Sequence, residues 1–202
     1  MVPQWDARVI GPGAFCFDNL DQLGHSPAGA LLVIGLAGGL DAEARTGSVF
    51  QIRSVQDSNG RLLVPNTSPS EFGITGDIPS AEIACVDHVV SSISAKAELA
   101  DRTGASLVDM ESAHVAGWCE AHGWKWCMVR AVLDGPNDSL PPGIGNWCDR
   151  NGKLNAWAMV RSLAFNPLTL AKLPWLAKSH RIAGESLRLA LGHPEDSLAR
   201  QD

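Results

Sequence analysis

Short apolar runs alternate with stretches of helical periodicity along most of this chain, and that alternation predicts an α/β fold. Ala30-Leu-Leu-Val-Ile34 reads as a buried strand. It runs into Gly35-Leu-Ala-Gly-Gly-Leu40, a glycine-rich segment whose backbone can approach a ligand closely. Ser48 to Val55 alternates well enough for another strand. Asn59-Gly60 and the Pro-, Ser- and Thr-rich stretch from Pro65 to Pro79 read as a turn and a surface loop. Glu82 to Val90 is a second buried strand, followed by a helix from about Ser94 to Thr103 that Gly104 stops.

The stretch from Ala105 to Asp138 carries the most information and reads as strand, helix, strand. Ala113, Ala116 and Gly117 keep the helix slim enough to lie on a sheet, and Gly123 suits the residue just past its end. Trp126 to Leu133 is an apolar run fit for a central strand, with Asp134 at its carboxyl end. Ligands of open α/β sheets collect beyond the carboxyl ends of strands. Gly35 to Gly39, Met110-Glu111 and Asp134 are therefore expected to converge on one crevice, although they are distant in sequence. From Lys153 onward Trp157, Val160, Leu163 and Ala164 recur at helical spacing. Asn166-Pro167 breaks the run, and further helices follow to about Leu191, covering a sheet edge or face. One domain over 1–192, with 153–192 as its helical C-terminal part and 193–202 as a polar tail, is the expected organisation.

Composition narrows the function classes. A chain of 202 residues suffices for one core. Sixteen Lys and Arg against 22 Asp and Glu give a formal charge of -6, which argues against a general nucleic-acid binder or a polybasic membrane protein. A single arginine can still hold an anion against that global sign. The start lacks a basic and then apolar leader, and the longest apolar run, Ala30 to Leu40, is too short for membrane insertion, so a soluble cytoplasmic protein is expected. The five cysteines form no CxxC pair and suit reduced thiols. Cys119 and His122 stand three residues apart but lack a third ligand. They read as a buried thiol beside a surface histidine, and no metal is expected.

Each candidate residue has two explanations at this point. Arg130 lies inside an apolar strand, where a guanidinium needs either a carboxylate or a bound anion. Glu111 opens a helix, which favours a carboxylate electrostatically; its oxygens could equally accept from a pair of ligand hydroxyls. Asp134 precedes Gly-Pro-Asn, so it is either turn chemistry or a general acid raised by an apolar crevice. Gly11-Pro12-Gly13 follows the strand-like Ala7 to Ile10 and is either a tight turn or a phosphate cradle of backbone N–H groups. No spacing orients His88, His114 or His122 toward a nucleophile.

Three ordered motifs, Gly35-Leu-Ala-Gly-Gly-Leu40 with a turn at Gly47, Val108-Asp-Met-Glu-Ser-Ala113 and Val129-Arg-Ala-Val-Leu-Asp134, resemble the purine nucleoside phosphorylase and methylthioadenosine/S-adenosylhomocysteine nucleosidase superfamily. The similarity runs from about Arg8 to Asp138. Lys96 to Leu99, Leu140-Pro-Pro142 and Asn166-Pro167 look most like its hopanoid-associated phosphorylase branch. The resemblance implies a single three-layer α/β domain, with a mixed central sheet flanked by helices. It also implies phosphorolytic cleavage of the N-glycosidic bond of an adenine-containing, 5′-substituted purine nucleoside. Inorganic phosphate would be the co-substrate and no other cofactor is required. Hydrolysis of the same bond, or nucleoside binding without turnover, are the alternatives. Met110 would pack under the ribose and Glu111 bind its hydroxyls, Val89 and Val90 would hold the base, and Asp134 would give a proton to N7. Arg130, with Gly11, Gly13 and the backbone around Gly38, would hold phosphate or orient water, and a homo-oligomer is implied. Two departures stand out. Leu36 replaces a hydroxyl residue of many relatives, and the family's first strand and loop, which supply nucleophile-binding groups, have no counterpart before Ala7.

Overall fold

The computed structural model describes residues 20–24, 29–141, 143–144 and 168–192. Six strands are present among them: β1 (Ala30–Gly39), β2 (Val49–Gln56), β3 (Leu62–Leu63), β4 (Ser80–Cys85), β5 (Leu107–Asp109) and β6 (Lys125–Asp134). Three α-helices accompany them: α1 (Ile93–Thr103), α2 (Ser112–His122) and α3 (Leu168–Ala190). The sheet is mixed, in the order β3-β2-β4-β5-β1-β6. The pairs β1–β6, β2–β4 and β4–β5 are parallel, and β1–β5 and β2–β3 antiparallel. This is the expected α/β class. The sheet also closes on itself, because β2 pairs antiparallel with β6 through Val49↔Ala131, Phe50↔Arg130 and Gln51↔Val129.

Strand β6 is the central element and is covered on both faces, which explains its unbroken apolar run. Trp126, Met128 and Val132 join Val33, Ile52, Ile83 and Leu107 in the main core, which α2 covers with Val115, Ala116, Trp118 and Cys119. Val129 points the other way, packing with Ile74 and Ile78 against Leu187 and Leu191. Helix α1 covers a third group, with Leu99 against Leu40, Ala84 and Val108. Caps set the helix limits: Ser92 Oγ accepts from Ala95 N, and Gly104 and Gly123 end α1 and α2 at φ +69° and +73°.

Three elements differ from the sequence reading. The strand expected over Glu82–Val90 ends at Cys85, because its partner β5 stops at Asp109 and the last bond available is Val86 N to Asp109 O, 2.9 Å. Residues Val86 to Val90 are thereby released to form a loop. The glycine-rich segment, in contrast, is strand to Gly39, since β6 pairs with β1 along its length with one irregularity at Ala37/Gly38. Its glycines make room for protein: a Cβ on Gly39 would lie 2.0 Å from Ala44 O, and one on Gly35 2.7 Å from Arg130 Nη1. Finally, the helices expected before Leu191 are one helix, α3, which continues through Pro174. It rests on the turn after β1, where Gly47 has φ +89° and a Cβ would lie 2.7 Å from Ile182 Cγ2. Trp157, Val160, Leu163, Ala164, Asn166-Pro167 and the tail 193–202 lie outside the described residues.

Candidate active site

The carboxyl ends of β1, β5 and β6 and the loop after β4 surround an open cavity of about 170 Å³. Gly38 comes from β1, Val89 and Val90 from the loop, Met110 and Glu111 from the turn between β5 and α2, and Asp134 from the end of β6. All six were singled out in the sequence, and the fold brings them to one place. Leu36, His88 and Leu140 complete much of a largely apolar wall. Gly11 and Gly13 lie outside the described residues.

The turn bearing Met110 and Glu111 is fixed from below. Asp109 Oδ1 accepts from Ser112 N at 3.2 Å and from Ser112 Oγ at 2.6 Å, which ties the end of β5 to the first turn of α2. Glu111 occupies the N-cap position, but its side chain makes no capping bond, so capping does not account for this carboxylate.

Arg130 does not line the cavity. It is 2% exposed, and its Nε and Nη2 both reach Asp109 Oδ2 at 2.9 Å. Of the two partners a guanidinium in an apolar strand could have, the structure supplies the carboxylate. Arg130 therefore stands behind the site, bracing Asp109, and departs from the phosphate- or water-holding position expected of it.

Asp134 is a buried carboxyl of the cavity, 3% exposed. Burial pushes its pKa above the ordinary carboxylate value; the neighbouring Lys96 opposes that shift and Asp138 adds to it. Gly38 stands beside it: a Cβ there would be in ordinary contact with both carboxylate oxygens at 3.6 Å and tight against Val108 Cγ1 at 3.1 Å. A protonated carboxyl facing an apolar cavity can donate to a ring nitrogen, which is the chemistry of a general acid.

Lys96 is the residue that site reasoning from the sequence passed over. It is 1% exposed on α1, and its Nζ donates to Asp134 Oδ2, to Gly135 O at 2.5 Å and to Asp138 O at 3.1 Å. A signal was present: Lys96 lies three and four residues before Leu99 and Ala100, on the one face of α1 that packs inward. A lysine in register with such a face needs a buried partner.

No group of three or more His, Cys, Asp or Glu placed to hold a metal occurs among the described residues. His122 Nδ1 is 2.9 Å from Trp118 O, and its ring stacks on Trp118 with centroids 4.2 Å apart. No described helix is long and apolar enough to cross a membrane.

The family model of the phosphorylase superfamily matches residues 18–155. The chain belongs to that superfamily. No curated protein sequence matches it. Among solved structures it is similar to a 5′-methylthioadenosine/S-adenosylhomocysteine nucleosidase (MTAN) from Colwellia psychrerythraea in complex with adenine. Identity is 16% over 77% of this chain and 75% of that one, with a TM-score of 0.55. A futalosine hydrolase of Helicobacter pylori is 17% identical over 80% of this chain and 66% of that one, with a TM-score of 0.51. An MTAN of the same organism is 21% identical over 52% and 57%, with a TM-score of 0.46. The chain thus spans less than two thirds of the length of the two Helicobacter pylori proteins, and at these identities the likeness is one of fold.

Proposed function

We propose that this phosphorylase-superfamily chain cleaves the N-glycosidic bond of a purine nucleoside and releases the base. One observation carries the reading: Met110, Glu111 and a buried, pKa-raised Asp134 share one apolar cavity at the strand ends. As the bond between the sugar C1′ and the base breaks, its electron pair goes to the base. A proton from Asp134 to N7 neutralises the charge that develops there. Glu111 accepts from the ribose hydroxyls, Met110 packs under the sugar, and Val89 and Val90 hold the purine. A 5′-substituted, adenine-containing nucleoside is the substrate class, in keeping with what the nucleosidase relatives are named for. The finer kinship to the hopanoid-associated branch rests on Lys96 to Leu99, Leu140-Pro-Pro142 and Asn166-Pro167.

The acceptor of the sugar is water or inorganic phosphate. Water is favoured by the described lining, which carries Asp109, Glu111 and Asp134 and no Lys or Arg. Arg130 and Lys96, which pair with the lining residues Asp109 and Asp134, are each engaged by a carboxylate. Phosphorolysis, the expectation drawn from the family resemblance, would take its anion-binding donors from the segment of Gly11 and Gly13. Base release from methylthioadenosine, S-adenosylhomocysteine, 5′-deoxyadenosine and inosine, assayed by chromatography with and without phosphate, separates the two. Release independent of phosphate identifies a hydrolase and release requiring it a phosphorylase. If those nucleosides raise the Tm but no base appears, the chain is a nucleoside-binding homologue and the proposal fails.

A further inference from the structure

Lys96 has no part in the reading above, yet it is a buried charge with every donor engaged. An ammonium has three donors, and here three acceptors meet it: Asp134 Oδ2, Gly135 O and Asp138 O. The last two belong to a turn that holds itself by Gly135 N donating to Asp138 Oδ2 at 2.8 Å and Asp138 N to Gly135 O at 3.1 Å. A single side chain from α1 therefore fixes both the carboxyl at the end of β6 and the turn that follows it. Burying an ammonium this fully is costly, and packing alone would be served better by an apolar residue.

We propose that Lys96 is a positioning residue for the proton donor: it holds Asp134 by Oδ2, turns Oδ1 toward the base and stabilises the carboxylate left when the proton has gone. The inference rests on the assignment of Asp134 as donor. In the step itself, the proton on Asp134 Oδ1 passes to N7 while the C1′–base electron pair moves to the purine and the acceptor bonds to C1′; a water acceptor then gives up one proton to solvent and becomes the sugar hydroxyl. Lys96 keeps its own protons throughout. Without it, a carboxyl buried to this degree would hold its proton too tightly to surrender it, because nothing nearby would compensate the charge it gains. Asp138, across the turn, also acts on the same carboxyl, raising its pKa. The other titratable and charged groups nearby are Asp109, Glu111 and His88, which line the same cavity, and Arg130, which is paired with Asp109. Of these, Lys96 alone is a cation hydrogen-bonded to Asp134 among the described residues.

The test is a ¹³C NMR pH titration of the full chain labelled at aspartate carboxyl carbons, with Asp134→Asn identifying the signal. Lys96→Gln keeps a hydrogen-bond donor but removes the charge, and is expected to raise the Asp134 midpoint by about 1–3 pH units. An unchanged midpoint would overturn the proposal. Lys96→Met serves in its place should the first variant fail to fold. A kinetic arm follows kcat/KM against pH with methylthioadenosine. In Lys96→Gln the basic limb should move up by the same interval and kcat at neutral pH should fall at least about tenfold. The Lys96→Gln change should cost nothing further on an Asp134→Asn background. An equal added loss there means a structural role and overturns the proposal. If Asp134→Asn itself turns over at the wild-type rate, the donor assignment fails, and the positioning role fails with it even when the NMR shift is observed.

Discussion

Arg130 and Asp109 form a buried ion pair directly beneath the cavity, with Nε and Nη2 both 2.9 Å from the same oxygen, Oδ2. The other oxygen, Oδ1, holds Ser112 at the start of α2. The pair thus joins β6 to the turn that carries Met110 and Glu111. Asp109→Asn leaves the Arg130 charge buried without a carboxylate, and the expected loss is about 3–5 kcal/mol of unfolding free energy by urea denaturation. A loss below about 1 kcal/mol, the range of an exposed pair, would contradict a bracing role.

Asp134→Asn removes the proton while keeping the shape. Turnover of methylthioadenosine is expected to fall about 100- to 10,000-fold with KM little changed, since a proton donor acts as the bond breaks. The folded protein binds this proton more tightly than the unfolded chain does. Its contribution to stability is therefore present below the ordinary carboxyl pKa and is lost as pH rises through the raised one. In wild-type enzyme, kcat/KM should decline over that same raised range on the basic side. A decline confined to the ordinary carboxylate range would argue against Asp134 as donor.

Gly39→Ala would set a methyl group 2.0 Å from the Ala44 carbonyl, a backbone atom that cannot step aside. Destabilisation at or above the upper end of the ~1–3 kcal/mol cost of overpacking is expected. Gly117→Ala is the control. Nothing lies within 4 Å of the new methyl on α2, and a gain of about 0.4–1 kcal/mol is expected from the stiffer unfolded chain. Thermal melts of both variants make the comparison, and similar losses in the two would refute it.

Cys85, Cys119 and Cys127 are buried, and burial pushes each thiol up to about 12. Thiol titration of the native protein at pH 8 should therefore find at most Cys16 and Cys148, whereas all five cysteines react in urea. More than two fast thiols in the native state would show that the cores around β4, α2 and β6 open readily.

Periodicity was enough for the α/β class, for α1 with its Gly104 stop and for the strand–helix–strand unit ending at Asp134, because these follow from local propensity and from the burial of β6 on both faces. It overextended β4, since a strand ends where its partner ends, and the length of β5 is not written in residues 82–90. It also took Gly35 and Gly39 as ligand-facing, whereas Arg130 and Ala44 fill the space a Cβ would need.

The same division runs through the site. Position at expected strand ends marked Gly38, Met110, Glu111 and Asp134 as candidates, and the family resemblance attached a role to each. Their meeting in one cavity, the assignment of Arg130 to Asp109 and the grip of Lys96 on Asp134 were settled only by tertiary structure. A buried charge demands a partner, which the sequence can state. Which partner it receives depends on distances between segments 21 and 38 residues apart, and these exist only once the sheet has closed.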